Sequence, residues 1–434
     1  MRYLFLFLGL LMVNMNAQTE MTAEDAIRIG LKYNFNIQIA RNEAEIARNN
    51  TGLGSAEFLP ALDATGTLQY LTTDPETNSP FSFGKSSTKG YEGQITLSWT
   101  LFDGMKMFVE KRRFDKLADL GETQSRDIIE NTVVGILQAY FNLVQQEQLL
   151  DVAKSTLEIS ETRLNKEKVR RDVGGASSTD LLNAQVSYNN DLSTLLNQEL
   201  RVVVALKELN ILLGQNPETE IRVKKDISVP PLTISYEKLQ ELALERNSTL
   251  LVVKQNREVS NENIKLARSP FFPRLSLIAN YGYSNRTVSS ESPRFEEDIT
   301  TKSLDGLVGL NLSWNLFNGF RNKIDLQNAQ IEAKNQELAY QDIRNQLIGL
   351  VQERYETFQK RLELLRLEEQ NMVAAEQNLQ LQTDRYQIGA ASSLEFRDAQ
   401  VNLARSQATY IVANYQARIS RLEIEQLIGN LEIQ

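Results

Sequence analysis

The sequence predicts a membrane α+β fold, and three observations predict it. One structural unit is written twice at a constant offset. Each copy holds two strands with one apolar face and one polar face. Each copy then runs into a helical hairpin too long for a globule.

The repeat is read directly from the residues. Ser98-Trp99-Thr100-Leu101-Phe102-Asp103-Gly104 recurs as Ser313-Trp314-Asn315-Leu316-Phe317-Asn318-Gly319, an offset of 215. GGASSTDLLNAQ from Gly174 recurs as GAASSLEFRDAQ from Gly389, and Leu213-Gly214 recurs as Ile428-Gly429, both at 215. Phe58-Leu59-Pro60 matches Phe271-Phe272-Pro273 at 213, so the second copy gains two residues between its Pro and its Trp. The division expected is a leader over 1–17, a first repeat over 18–230 and a second over 231–434. The leader has a basic Arg2, an apolar run Tyr3–Val13 and a small residue, Ala17, before the cut, the layout of a secretory signal peptide. The apolar run is too short to span a bilayer as a helix.

Each repeat opens on a short helix, with Thr22 suited to cap the first and Glu24 and Asp25 in its first turn. A second helix follows, over about 36–56 and about 250–268. Pro60 and Pro273 then open strands. Leu62, Ala64, Gly66, Leu68 and Tyr70 alternate with Asp63, Thr65, Thr67 and Gln69. Tyr91 to Leu101, Leu275 to Tyr283 and Leu304 to Leu316 alternate likewise. About ten residues per strand suit a tilted bilayer crossing, with Trp99, Trp314, Tyr70, Tyr91 and Tyr281 placed for an aromatic girdle. Four strands cannot close a barrel, and open edges in lipid cost several kcal/mol per unpaired group, so the barrel is shared between chains. Three chains give twelve strands. The loops 72–90 and 284–303 are rich in Ser, Thr and Pro, as suits an outward side.

Beyond the strands the period changes. Val351, Phe358, Leu365, Met372, Leu379 and Tyr386 occupy one heptad position, and the equivalent stretch of the first copy carries Ile136, Leu143, Leu150, Leu157 and Leu164. The stretch from Gly104 to Val173 is roughly 100 Å of helix at 1.5 Å per residue. Gly174 and Gly389 supply left-handed helix ends, and Ser178, Thr179, Ser392 or Ser393 suit the caps of the returning helices. Asp180 and Glu395 suit their first turns. In a closed ring of subunits Asp180, Glu395 and Asp398 would come together as acidic rings that attract cations.

The chain has no cysteine and no histidine, which excludes disulfides, thiol nucleophiles, imidazole bases and Cys or His metal sites. Its charge of −9 argues against nucleic acid. No catalytic residue, cofactor or metal is expected. Glu395 and Asp398 lie on one helical face, the minimum for a carboxylate-pair hydrolase, but heptad surfaces generate such pairs freely. The other alternative is a periplasmic adaptor, which also uses long hairpins; duplicated hairpins and four membrane-type strands oppose it.

In this order the two Trp-Leu-Phe-(Asp/Asn)-Gly exits, the paired Gly turns and the Leu-Gly or Ile-Gly helix ends resemble the outer-membrane efflux proteins, the TolC-like channel-tunnels of Gram-negative bacteria. The resemblance covers nearly all of the chain after the leader. It implies a homotrimer with a twelve-stranded β-barrel in outer-membrane lipid, continuing into a long periplasmic α-helical coiled-coil tunnel. The segment after Gly214 looks like the family's equatorial belt. The implied function is the passive exit duct of a tripartite system, with a periplasmic adaptor and an inner-membrane transporter of RND, ABC or MFS type. By position, the resemblance implies that Tyr386 bonds Asp180 across the coils and that Glu395 and Asp398 form the constriction. Thr179 matches a threonine that pairs with an arginine on the neighbouring coil, but this chain has Ala391 at the arginine's position. The adaptor's tips would dock beside Gly174, Gly175, Ser177, Gly389 and Ser392.

Overall fold

The computed structural model describes residues 20–76, 84–175, 177–291 and 297–431. The expected leader lies outside the described residues, as do parts of both expected outer loops. The elements run in the order α1 Ala23–Tyr33, α2 Phe35–Asn49, β1 Ala61–Thr73, β2 Ser86–Asp103, α3 Lys106–Asp172 and α4 Ser178–Leu212. Then come α5 Tyr236–Arg246, α6 Ser248–Leu266, β3 Arg274–Ser290, β4 Ile299–Ser313, α7 Arg321–Gln387 and α8 Ser393–Leu427. The copies match in length: α3 and α7 have 67 residues each, and α4 and α8 have 35 each.

The chain forms two compact units, and each sequence repeat contributes to both. A coil unit comprises the described residues up to Ala40, Ser125–Ser248 and the described residues from Asn345. A strand unit comprises Arg41–Gln124 and Thr249–Arg344.

In the strand unit the four strands form one antiparallel sheet in sequence order, β1-β2-β3-β4. The register aligns the apolar residues. Leu62 faces Leu97, Ala64 faces Ile95 and Leu68 faces Tyr91. Ile95 also faces Tyr281, and Trp99 faces Leu277. Leu277 faces Leu310, and Ala279 faces Val308. A one-residue slip would send every one of these side chains to the other face, so the alternation fixes the pairing. Leu62, Leu68, Tyr70, Tyr281, Val308, Leu310 and Leu312 are all exposed in the chain.

Three boundaries differ from the expectation. The strands have 13, 18, 17 and 15 residues, longer than a bilayer requires. The hydroxyl residues read as loop carry the ladder on, through side-chain pairs such as Thr287 with Thr300 (3.0 Å) and Ser284 with Ser303 (2.9 Å). Trp314 lies just beyond β4 although Trp99 lies within β2. β2 has neighbours on both sides, whereas β4 pairs only with β3, whose first residue Arg274 faces Ser313. Helix α2 stops at Asn49 rather than near Ala56, because Thr51-Gly52 and Gly54 favour turns.

Both Trp indoles have a structural duty as well. Trp99 Nε1 donates to the Phe58 carbonyl (2.9 Å) and Trp314 Nε1 to the Phe271 carbonyl (3.2 Å). Each thus ties a strand exit to the segment before the strand-opening Pro. The strand-to-helix joints repeat too: Gly104 and Met105 both have φ of 71°, and Gly319 and Phe320 have 69° and 64°. Asp103 then accepts the Met107 N–H (3.0 Å) and serves the start of α3.

The coil unit is built on a cluster that includes Val133, Ile136, Tyr140, Phe141, Leu143, Leu209, Leu213 and Leu422. Thr22 caps α1 in a capping box with Asp25. The absence of a side chain at Gly30 lets α1 lie against α3, since a Cβ there would sit 2.2 Å from Ile136 Cδ1. Asn34 Nδ2 donates to the Leu212 carbonyl (2.7 Å), and Asn247 Nδ2 repeats this to the Leu427 carbonyl (3.4 Å). Each short helix pair is thereby moored to the end of its returning helix.

The two joint glycines separate two costs. Gly319→Ala meets open space and bears only the left-handed backbone penalty of about 1–2 kcal/mol. Gly104→Ala also drives a methyl to 2.4 Å from the Ser269 carbonyl. Thermal unfolding of the purified variants should show the larger loss for Gly104→Ala.

Candidate functional site: the tip of the coils

Both hairpin turns are made the same way. Gly174 and Gly389 have φ of 76° and 75°. Gly175 N–H returns to the Arg170 carbonyl (2.7 Å) and Ala390 N–H to the Arg385 carbonyl (2.8 Å), closing the outgoing helices. Arg170 Nη2 donates to the Gly175 carbonyl (3.2 Å) and Arg385 Nη2 to the Ala390 carbonyl (3.1 Å), so a guanidinium clasps each turn.

The caps are Ser177 and Ser392, each in a reciprocal box with the acid three residues on. Asp180 N–H donates to Ser177 Oγ (3.1 Å), and Ser177 N–H donates to Asp180 Oδ2 (3.1 Å). Glu395 N–H donates to Ser392 Oγ (3.2 Å), and Ser392 N–H donates to Glu395 Oε2 (2.7 Å). Ser178, Thr179 and Ser393 therefore stand inside the first turns and are not caps. The Ser177 hydroxyl and then its backbone N–H hold the Asp180 carboxyl below its usual range. The Ser392 backbone N–H and then its hydroxyl do the same for Glu395. Thr179, Glu395 and Asp398 are exposed. Among the described residues no group of three or more acids is placed to hold a metal ion.

Tyr386 does not bond Asp180. Its hydroxyl donates to Glu167 on α3, while Asp180 is engaged by its own cap. Tyr386 stacks on Phe396 with ring centroids 4.9 Å apart, and Lys166 Nζ lies 3.9 Å from its ring centre. Burial first, and the Glu167 contact second, push the Tyr386 phenol above its usual pKa. Glu167 is fully buried and is also paired with Arg170 (3.3 Å). Arg163 Nε donates to Ser393 Oγ (3.0 Å).

A second polar group lies further from the turns. Arg397 on α8 grips Asp191 on α4 with both terminal nitrogens (2.6 and 2.8 Å) and also donates to Ser160 Oγ (3.1 Å) on α3. Gln400 Nε2 donates to Ser160 Oγ (3.0 Å) and to the Thr156 carbonyl (2.9 Å). Ser160 in turn donates to Asp191. Three helices, α3, α4 and α8, are thus latched where a heptad reading expects apolar contacts. Sequence reasoning missed Ser160, Glu167, Asp191, Arg397 and Gln400. The available signal was the repeat itself, because Arg397 stands opposite Leu182 and Asp191 opposite Ser406 at the offset of 215.

An exposed amphipathic sheet and capped coiled-coil hairpins are the parts of a membrane duct. Comparison with known proteins agrees. The profile of the outer membrane efflux protein family matches residues 27–215 and again residues 239–430. The chain is 23% identical over 325 residues to the outer membrane protein TolC of Vibrio cholerae, covering 74% of this chain and 72% of that protein. It is 22% identical to the antibiotic efflux pump outer membrane protein ArpC of Pseudomonas putida, covering 94% and 82%. Its fold superposes on the Campylobacter jejuni CmeC outer membrane channel with a TM-score of 0.79 at 16% identity, covering 94% and 85%. The chain belongs to the outer membrane efflux protein family. It is an outer-membrane exit duct of an efflux or secretion system, and the adaptor alternative is set aside.

Two outcomes follow from the tip. Tyr386→Phe leaves the buried Glu167 without its hydroxyl donor, and should cost about 1–3 kcal/mol in thermal unfolding. The caps give an acid response. Their carboxylates are favoured by the fold, so their contribution is complete above the ordinary values of 3.8 and 4.5 and is lost as pH falls through the lowered ones. Amide exchange in the first turns of α4 and α8 should rise on acidification. In Ser177→Ala/Ser392→Ala it should be high already at neutral pH and respond less to acid.

Proposed function

We propose that three copies assemble into a twelve-stranded barrel in outer-membrane lipid, carrying a coiled-coil tunnel whose inner end is closed by the hairpin tips. The observation that carries this is the four-stranded sheet, whose apolar residues are exposed and whose edge strands β1 and β4 each have one side unpaired among the described residues. β4 of one copy adds to β1 of the next, and the third addition closes the ring. Trp99, Trp314, Tyr70, Tyr91 and Tyr281 form its aromatic girdle. The equal helix lengths and matched caps support two structural repeats, over 18–230 and 231–434.

At the tip, Asp180, Glu395 and Asp398 line a constriction that favours cations, with Thr179 beside it. The capping hydrogen bonds keep Asp180 and Glu395 ionised and fixed in position. Tyr386 braces this region through Glu167 rather than through Asp180. A periplasmic adaptor docks on the turns at Gly174, Gly175, Ser177, Gly389 and Ser392, and joins the duct to an inner-membrane transporter of RND, ABC or MFS type. The duct itself does no chemistry, and energy comes from the transporter.

The test is made on protein from outer-membrane fractions, which should run as a heat-resistant trimer. In planar bilayers Glu395→Gln/Asp398→Asn should lower the preference for cations over anions several-fold. A monomer found outside the membrane fraction overturns the duct, and unchanged selectivity overturns the constriction.

A further inference from the structure

Not every charge near the turns is answered by the bonds described above. Arg163 on α3 is buried, at 5% exposure. Its Nε donates to Ser393 Oγ on α8 (3.0 Å), but its Nη1 is buried with no hydrogen-bond partner among the described residues. Two acids, Glu167 and Asp191, lie near enough to favour its charge, and both are committed elsewhere. Glu167 serves Arg170 and Tyr386, and Asp191 serves Arg397. Burial, and next the neighbouring Arg397, lower the Arg163 pKa. A buried charge without a partner is costly, and in folded proteins such a group is answered by an ordered water or a bound ion.

A second cation stands on the same face of α3, three residues on. Lys166 Nζ donates to the Tyr386 carbonyl (3.2 Å) and lies 3.9 Å from the Tyr386 ring centre. The carbonyl occupies only part of the ammonium's donors. Arg163 and Lys166 line one cavity of about 300 Å³, formed by α3, α7 and α8 within the coil unit. Ile159, Leu379 and Phe396 give it an apolar wall. That volume suits a small molecule and exceeds what a bare inorganic anion fills. Glu158 also lines the cavity, but it is exposed and pairs with neither cation.

The coil itself does not require these charges. At the offset of 215 Arg163 is replaced by Asn378 and Lys166 by Leu381, and α7 runs through both positions as a continuous helix. The paired cations belong to the first copy alone, where they meet the aromatic wall supplied by the second.

We propose that this cavity binds a small organic carboxylate, with its head against Arg163 and Lys166 and its apolar body against Ile159, Leu379 and Phe396. The head supplies the charge that Arg163 lacks, through charge-assisted hydrogen bonds. A water would satisfy Nη1 but not the charge, so the two explanations separate by experiment. The site lies within one chain and is distinct from the acidic constriction, which favours cations.

The test is equilibrium dialysis of labelled benzoate against the protein in a nonionic detergent. Uptake is counted per chain, so the result does not depend on how many copies assemble. Uptake should saturate at one benzoate per chain. Benzyl alcohol, which has the body without the charge, and acetate, which has the charge without the body, should each bind at least about tenfold more weakly. Lys166→Met and Arg163→Met should each weaken benzoate by at least about tenfold. Arg163→Met removes an unpaired buried charge and should melt no lower than the parent. Lys166 is only half-buried, so Lys166→Met carries the test if Arg163→Met fails to fold. Glu158→Gln removes the cavity's own carboxylate and should tighten benzoate several-fold. Uptake that does not saturate, that is unchanged in Lys166→Met, or that is matched by benzyl alcohol or acetate overturns the inference.

Discussion

Backbone hydrogen bonding in lipid is the constraint on which the rest depends. The hydrocarbon interior offers no water to an unpaired N–H or C=O. β1 and β4 each leave one such row unpaired among the described residues. The register meanwhile gathers leucines, valines and aromatics onto one side, where they stay exposed among the described residues. A sheet of this kind is a fragment, complete only when its edges meet other edges. The duplication answers half of the need, since two hairpins from two repeats already pair through β2 and β3.

The helical part solves a different problem. Its helices are too long to be stabilised by one globular core, so they are held in stages. A dense apolar cluster around Tyr140, Phe141 and Leu213 anchors one end of the hairpins. Toward the turns a smaller apolar cluster around Leu379, Tyr386 and Phe396 is joined by polar contacts: Glu167 with Tyr386, and Asp191 with Arg397. Buried ion pairs are poor sources of stability but good selectors of one arrangement. Alignment of the tip is thus set by geometry more than by burial.

Much of this was legible in the sequence, and the reasons are physical. Proline, tryptophan and glycine have narrow backbone or packing requirements, so their recurrence marked the strands, joints and turns to within a residue or two. The ends of the strands were less legible, because serine and threonine serve loops and ladders equally well. The cap of α4 was displaced by one residue, to Ser177, because neighbouring hydroxyls compete for the same N–H groups, whereas Ser392 was among the expected caps of α8. The latches at the tip were hidden for another reason. A heptad pattern describes what is alike along a helix, whereas Arg397 and Asp191 are where the two copies differ, and a borrowed position for the Tyr386 partner could not reveal Glu167.

The clasped turns bear on how the tip responds to force. Arg170 and Arg385 each reach from the last turn of a helix to the carbonyl just beyond it. With the cap on the far side, a turn has little slack, and its two helices behave as the arms of one stiff lever. A push at the knuckle is therefore carried up both arms undiminished, and yields motion at their flanks rather than a bend at the end.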